Sequence, residues 1–377
     1  MARSEERAAL NVLMTADAVG GVWQYALDLA EALRPHGVKT TLAVLGPDPS
    51  ADQYVSAHAA GVTLISTGLP LDWTASHPTE VEQAGEVIAR LCSELRPDLV
   101  HLNSPALAAS ATFDAPVLAV SHSCVATWWQ AVKSGPLPEE FVWRSDLIGK
   151  GYAAADRLLA PSRAFARATA QAYGLAQEPT VVRNGRRAFP AVASSSPESF
   201  VFTAGRLWDE GKNFSAIDRA ANRISAPVLA AGPLEGPNGA RVEAHYAKTL
   251  GRLGDAEIMR YLAARPVFVS AARYEPFGLA VLEAAQAGCA LILSDIPTLR
   301  ELWDGAALFI NADDDVALSA GIEHLLRDPD ARAALGHAAQ RRAQAYTIEA
   351  MSVGVLNVYR SMLSKRYHPL PLEGAAV

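Results

Sequence analysis

The sequence predicts an α/β protein of two domains, each a parallel sheet covered by helices. Two observations carry this reading. Short apolar runs of four to eight residues alternate with helical periodicity along nearly all of the 377 residues. That alternation breaks once, at RAFPAVASSSPES (187–199), and then restarts. Length agrees, since at about 150 residues per domain the chain holds roughly 2.5 domain equivalents.

In order, LNVLMTA (10–16) reads as a buried strand. AVGGVWQYALDLAEAL then turns helical, with Val22, Ala26, Leu29 and Leu33 on one face. Gly37 stops that helix and VKTTLAVL is the next strand. GVTLIS, a helix over 79–95, PDLVHLN and PVLAVSH follow. A helix near 140–153, DRLLAPS, a helix near 162–173 and TVVRN complete the first half. Past the break, FVFTAG is a strand, KNFSAIDRAANRI a helix and PVLAAG a strand. NGARVEAHYAKTL (238–250) and DAEIMRYLAA are expected as helices, PVFVSAA as a strand and FGLAVLEAAQAG as a helix. CALILSD and AALFIN read as strands, and helices over 315–326, 330–345 and 348–363 close the pattern. The expected boundaries are 1–187 for the first domain, 188–198 for a connecting segment and 199–345 for the second domain. Residues 346–377 form a terminal helix and tail that is a candidate to cross back to the first domain.

Composition narrows the function. With 50% hydrophobic and 19% charged residues and a mean hydropathy of +0.09, the chain can bury a large core. Its balance of 33 basic against 40 acidic residues, a net −7, excludes a broadly cationic nucleic-acid coat. A local basic pocket for a phosphate is compatible with it. Cys92, Cys124 and Cys289 lack zinc spacing and cannot all pair within the chain, which fits a reducing cytoplasmic compartment. The first strand begins after nine residues without a signal-peptide core, and no run of 18 apolar residues occurs. A soluble protein is expected, with peripheral membrane contact left open.

The densest chemical signal is ARYEPFGLAVLEAAQAG, which follows a strand. Pro276 holds a turn, Gly278 permits close approach at a helix start, and amides around Phe277, Gly278 and Leu279 can face an anion. Glu283 lies one turn beyond Leu279 on the same face, placed to accept both hydroxyls of a ribose, while Glu275 in the loop can meet a second polyol. A second signal, TAGRLWDEGKN, carries Arg206 and Lys212 from a strand end into a helix, a pair suited to clamping a diphosphate. Asp209 and Glu210 between them can neutralise one cation. Gly20-Gly21 allow backbone approach at the first helix, but the GxGxxG dinucleotide fingerprint is missing, so classical NAD binding fits poorly. His122 ends a strand beside Ser121 and Ser123, a better setting for a ligand hydroxyl than His101, which reads as a packed core residue. Trp128 and Trp129 are candidates for an acceptor wall or for packing on the sheet. No histidine–carboxylate spacing suggests a metal, and Asp313-Asp314-Asp315 reads as a loop feeding a helix.

On EPFGLAVLE, GRLWDEGK and the NG of VVRNGRR, the chain resembles the retaining, nucleotide-sugar-dependent glycosyltransferases of family four. These have the GT-B fold of two Rossmann-like domains facing a central cleft. The likeness runs from ADAVGGVWQYALDLAEAL to the terminal helices. It implies that Glu283 binds donor ribose, that Glu275 contacts the donor sugar, and that Arg206 and Lys212 contact the diphosphate. It further implies His122 near the anomeric carbon and Gly20 and Gly21 near a phosphate. The lysine stands six residues after the arginine, where family members commonly have five; a bulge near Gly211 would absorb the extra residue. The implied reaction is retaining transfer of a hexose from UDP-glucose or GDP-mannose to an acceptor hydroxyl, without a tightly bound cofactor or a divalent metal. The alternatives are a catalytically silent sugar-nucleotide-binding protein and a sugar-nucleotide epimerase.

Overall fold

The structure, a computed structural model, describes residues 9–187 and 197–364. Most of the expected connecting segment at 188–198 and the tail beyond 364 therefore lie outside the described residues. The first sheet holds β1 (Leu10–Asp17), β2 (Val38–Leu45), β3 (Thr63–Ser66), β4 (Leu99–Leu102), β5 (Val117–Val120), β6 (Arg157–Ala160) and β7 (Thr180–Val181). Its order is β3-β2-β1-β4-β5-β6-β7, and the registered pairs run parallel. The second sheet holds β8 (Val201–Ala204), β9 (Val228–Ala231), β10 (Lys248–Gly251), β11 (Val267–Ser270), β12 (Ala290–Ser294) and β13 (Leu308–Ile310), in the order β10-β9-β8-β11-β12-β13. It too is parallel. In each sheet the order reverses beside the first strand, which makes a doubly wound, Rossmann-like α/β layer.

The helices are α1 (Gly21–Leu33), α2 (Ala51–Ala60), α3 (Pro78–Leu95), α4 (Val125–Val132), α5 (Glu139–Ala154), α6 (Arg163–Tyr173) and α7 (Phe214–Ala221). They continue with α8 (Asp255–Ala263), α9 (Leu279–Gln286), α10 (Pro297–Trp303), α11 (Asp315–Arg327), α12 (Pro329–Ala343) and α13 (Ile348–Ser364). Two compact units result. One takes the described residues up to Ser121, Asp146–Leu159 and those from Met351 onward; the other takes His122–Ser145 and the described residues of Ala160–Ala350. The first unit thus includes most of α13, whose Tyr359 hydroxyl shares a 2.7 Å hydrogen bond with Nδ1 of the buried His101.

The continuous apolar runs have a direct cause in the second sheet. Phe202, Phe268, Leu291 and Leu293 pack on one face with α9 residues Val281 and Leu282. Their neighbours Val201, Val267, Val269 and Ile292 pack on the other with Phe214 and Ile217 of α7 and Leu318 and Ile322 of α11. Successive residues point to opposite faces, so a sheet covered twice needs apolar residues at every position. Each fully buried Leu, Ile or Phe side chain contributes about 1.5–3 kcal/mol.

The structure corrects one expected helix. Residues 238–250 form no helix; they run through turns into β10, with an isolated bridge between Glu235 and Arg241. Asp218 of α7, nearly sealed from solvent, accepts the amides of His245, Tyr246 and Ala247 at 2.8–3.1 Å. Three successive amides taken by one carboxylate are lost to any helical ladder. Three helices arise where none was expected. Ser50 and Gln53 close a reciprocal cap on α2. Pro297 opens α10, and α4 carries both Trp128 and Trp129. Asp314 caps α11 by accepting the Ala317 amide at 2.7 Å.

Candidate active site

All of the site in the second unit hangs from the loop between β11 and α9, and that loop is held at one carbonyl after another. Asn213 Nδ2 donates to the carbonyl of Ala271 (3.0 Å) and to that of Ala312 (2.7 Å). The Ser294 hydroxyl donates to the Ala272 carbonyl, Thr298 Oγ1 to that of Glu275 (2.6 Å), and Ser162 Oγ to that of Pro276 (2.9 Å). The amides of Arg273 and Tyr274 donate to the Gly211 carbonyl at 2.9 and 3.1 Å. Six such anchors fix the backbone before any ligand arrives. The loop ends at Gly278, whose φ of +90° serves as the N-cap of α9 without a side-chain cap. The opening amides of a helix have no partner within it, so this end of α9 presents donors and a partial positive charge.

Two cations reach the loop's surroundings from the β8–α7 connection. Lys212 Nζ donates to Glu275 Oε2 at 2.6 Å, with both side chains largely buried. Arg206 Nη2 donates to Asp209 Oδ2 at 2.9 Å, while its guanidinium carbon lies 5.8 Å from the Trp208 ring. Asp209 Oδ1 in turn accepts from Trp128 Nε1 (3.0 Å) and from the Gly211 amide (2.9 Å). The segment Glu210–Lys212, between Arg206 and Asn213, is a single 3₁₀ turn followed by Asn213 at φ +53°. Trp128 is therefore committed to the cationic loop, whereas Trp129 donates to the Gly135 carbonyl (3.2 Å) and packs near Phe141.

Glu283, one turn into α9, is engaged by a residue that sequence reasoning passed over. Arg186 Nε donates to Glu283 Oε1 at 2.6 Å, and the side chains are 6% and 15% exposed. The motif NG of VVRNGRR marked the right segment, and a third cation following it was the available signal. Phe277 is buried in the core of this unit, and Leu279 is packed against the same core. The Phe277 ring meets that of Tyr346 edge-on.

His122 is partly buried, and desolvation pushes its imidazole down to about 3 from the ordinary 6.5. It is neutral at pH 7. Just beyond it, the Tyr274 hydroxyl accepts the Cys124 amide (3.2 Å) and shares a hydrogen bond with Thr127 Oγ1 (2.8 Å). The unfolded chain binds a proton at this histidine that the folded chain refuses, so stability falls as pH drops from 6.5 toward 3. Replacing the histidine, His122→Gln, should therefore raise stability relative to wild type near pH 4 more than near pH 7. Urea melts at both pH values read the difference; an equal effect at the two would refute the neutral, desolvated imidazole.

In the first unit, Gly20 caps α1 after β1 and Gly21 is the first residue of that helix. Gly20 is extended, at φ −151°. Its amide and that of Val19 donate to Asp17 Oδ1 at 3.2 and 2.8 Å. A carboxylate of the same chain thus already engages the Gly20 amide. Among the described residues, no group of three or more His, Cys, Asp or Glu is arranged to hold a metal ion. None of the described helices is long and apolar enough to cross a membrane.

Residues 19–186 match the family described as Glycosyltransferase Family 4, and residues 239–342 match Glycosyl transferases group 1. The chain is 27% identical to a glycogen synthase of Mycobacterium tuberculosis over 365 residues, covering 87% of this chain and 86% of that protein. Among solved structures, it resembles sucrose-phosphate synthase from Thermosynechococcus elongatus with a TM-score of 0.78 at 19% identity, over 94% of this chain and all of that one. It also resembles Anabaena HepE in complex with UDP-glucose, with a TM-score of 0.73 at 19% identity, over 93% of this chain and all of that one.

Proposed function

We propose that the chain, which matches two glycosyltransferase family models over residues 19–186 and 239–342, transfers a hexose from a nucleoside diphosphate sugar to an acceptor hydroxyl with retention at the anomeric carbon. The observation that carries this reading is Lys212 set against Glu275 beside the N-terminal end of α9, with Arg206 on the same connection. A departing nucleoside diphosphate gains negative charge, and stabilisation must sit where that charge develops. Lys212, Arg206 and the opening amides of α9 supply it without a divalent ion. As the diphosphate draws Lys212 away, the Glu275 carboxylate is released to hold the hydroxyls of the donor sugar. Glu283 accepts the ribose hydroxyls, and His122, neutral at pH 7, offers a hydrogen bond near the anomeric carbon. The departing phosphate takes the acceptor proton, and no carboxylate is assigned as a nucleophile. UDP-glucose is the favoured donor over GDP-mannose, supported by the ligand named for the Anabaena relative. The reaction is assigned to the cytoplasm, supported by three buried cysteines outside any disulfide.

The test incubates the protein with UDP-glucose or GDP-mannose and hydroxylated acceptor extracts, in the presence of EDTA. Mass spectrometry should find a hexosylated product in step with nucleoside diphosphate release, and NMR of the purified product should show the donor's anomeric configuration. Inversion would overturn retention. Activity lost to EDTA and restored by one divalent ion would overturn metal independence. Tight nucleotide-sugar binding with no product from any acceptor would favour the silent binding protein.

A further inference from the structure

The geometry points to Arg186 as the positioning residue that orients Glu283 for the donor ribose; this rests on the reading of Glu283 given above. Arg186 is tied to its surroundings through every part of the residue. Its amide donates to the Tyr346 carbonyl (3.2 Å), and it forms an isolated parallel bridge with Thr347. Its carbonyl accepts from Gln286 Nε2 at 3.1 Å, and its Nε donates to Glu283 Oε1 at 2.6 Å. Glu283 and Gln286 are three residues apart and so share one face of α9. The helix that carries the carboxylate therefore grips both ends of Arg186, and the backbone fixes where the guanidinium can stand.

Stability alone is a weak reason for this pair. Both side chains are well buried, and taking two charges out of water offsets most of their attraction; apolar residues of similar volume would serve a core as well. Asp255 stands 3.9 Å away and is 72% exposed, so it contributes little. What the pair does supply is direction. A glutamate side chain has three rotatable bonds, and a ribose needs its carboxylate in one place. A guanidinium held by the backbone selects that placement, so less rotamer freedom is lost when the nucleotide binds.

The test is calorimetric titration with UDP, GDP, 2′,3′-dideoxy-UDP and inorganic pyrophosphate, using wild type, Arg186→Met, Arg186→Lys, Glu283→Gln and the double variant R186M/E283Q. R186M should weaken binding of the preferred nucleoside diphosphate about tenfold or more, with R186K recovering part of the loss, and E283Q should do the same or worse. Pyrophosphate and the dideoxynucleotide should bind R186M as they bind wild type, because neither presents the ribose diol. The double variant should bind no worse than E283Q, since Arg186 acts through that carboxylate. If E283Q loses affinity while R186M keeps it, the positioning role is overturned and the ribose assignment stands. If wild type binds neither UDP nor GDP, the donor reading itself fails. Should R186M not fold, R186K decides: unchanged selectivity for ribose over dideoxyribose in a folded R186K that also matches wild-type affinity for pyrophosphate would overturn the fork geometry.

Discussion

Lys212→Met should lower turnover about a hundred- to a thousandfold, the range expected when one donor is removed from developing negative charge. In the structure the ammonium is 2.6 Å from Glu275 and mostly shielded from water. Under the proposed reading, a diphosphate displaces that carboxylate and takes over the cation. Methionine keeps the length and apolar stem while deleting the charge. The loss should fall mainly on kcat, because negative charge on the leaving group is greatest in the transition state. Affinity for the free nucleoside diphosphate should fall less, since Arg206 and the α9 amides remain. Steady-state kinetics with saturating acceptor, beside a thermal melt, give the answer. Turnover within threefold of wild type in a folded variant would remove Lys212 from the mechanism.

The second large effect is structural and reaches the site indirectly. Gly232→Ala should destabilise the protein by about 3–5 kcal/mol and lower Tm by roughly 10 °C. At φ +140° this residue occupies a conformation that L side chains rarely adopt, and an added Cβ would stand 1.8 Å from the Gly205 carbonyl oxygen. The obstacle is backbone, held where the Gly205 amide donates to Ala231 and the Gly232 amide donates to Gly251. Relief requires moving the residue directly before Arg206, so diphosphate affinity should drop together with stability. Gly20→Ala is the control: Gly20 is extended and its Cβ would meet nothing within 4 Å. Tm should then stay within about 2 °C of wild type. Equal melting of the two variants would refute the steric account.

The class of fold is legible in the chain because periodicity is a local property. A strand buried on both faces must be apolar throughout, and a covering helix must repeat its apolar side about every 3.6 residues. LNVLMTA, VKTTLAVL, FVFTAG and CALILSD each became a strand on this ground alone. The loop-then-helix placement of Glu275 and Glu283 was equally local, since proline, glycine and a following helical stripe define where α9 starts. The expected helix at 238–250 failed for the opposite reason: its pattern was permissive, and Asp218, more than twenty residues earlier, claimed its amides.

What only the tertiary structure decided is which charge meets which. Lys212 and Glu275 are 63 residues apart, Trp128 and Asp209 are 81 apart, and Arg186 and Glu283 are 97 apart. Lys212 follows β8 and Glu275 follows β11, neighbouring strands of one parallel sheet that gathers such loops along one edge, whereas Trp128 on α4 and Arg186 follow β5 and β7 of the other sheet. Sequence records that Arg186 exists and that a cation follows NG. It holds no information about the distance from that cation to a carboxylate on α9, because the distance is set by how far each strand runs and how closely the helix packs against the sheet. Residue types and local periodicity determine what chemistry the chain can carry; packing of elements remote in sequence determines which groups carry it together.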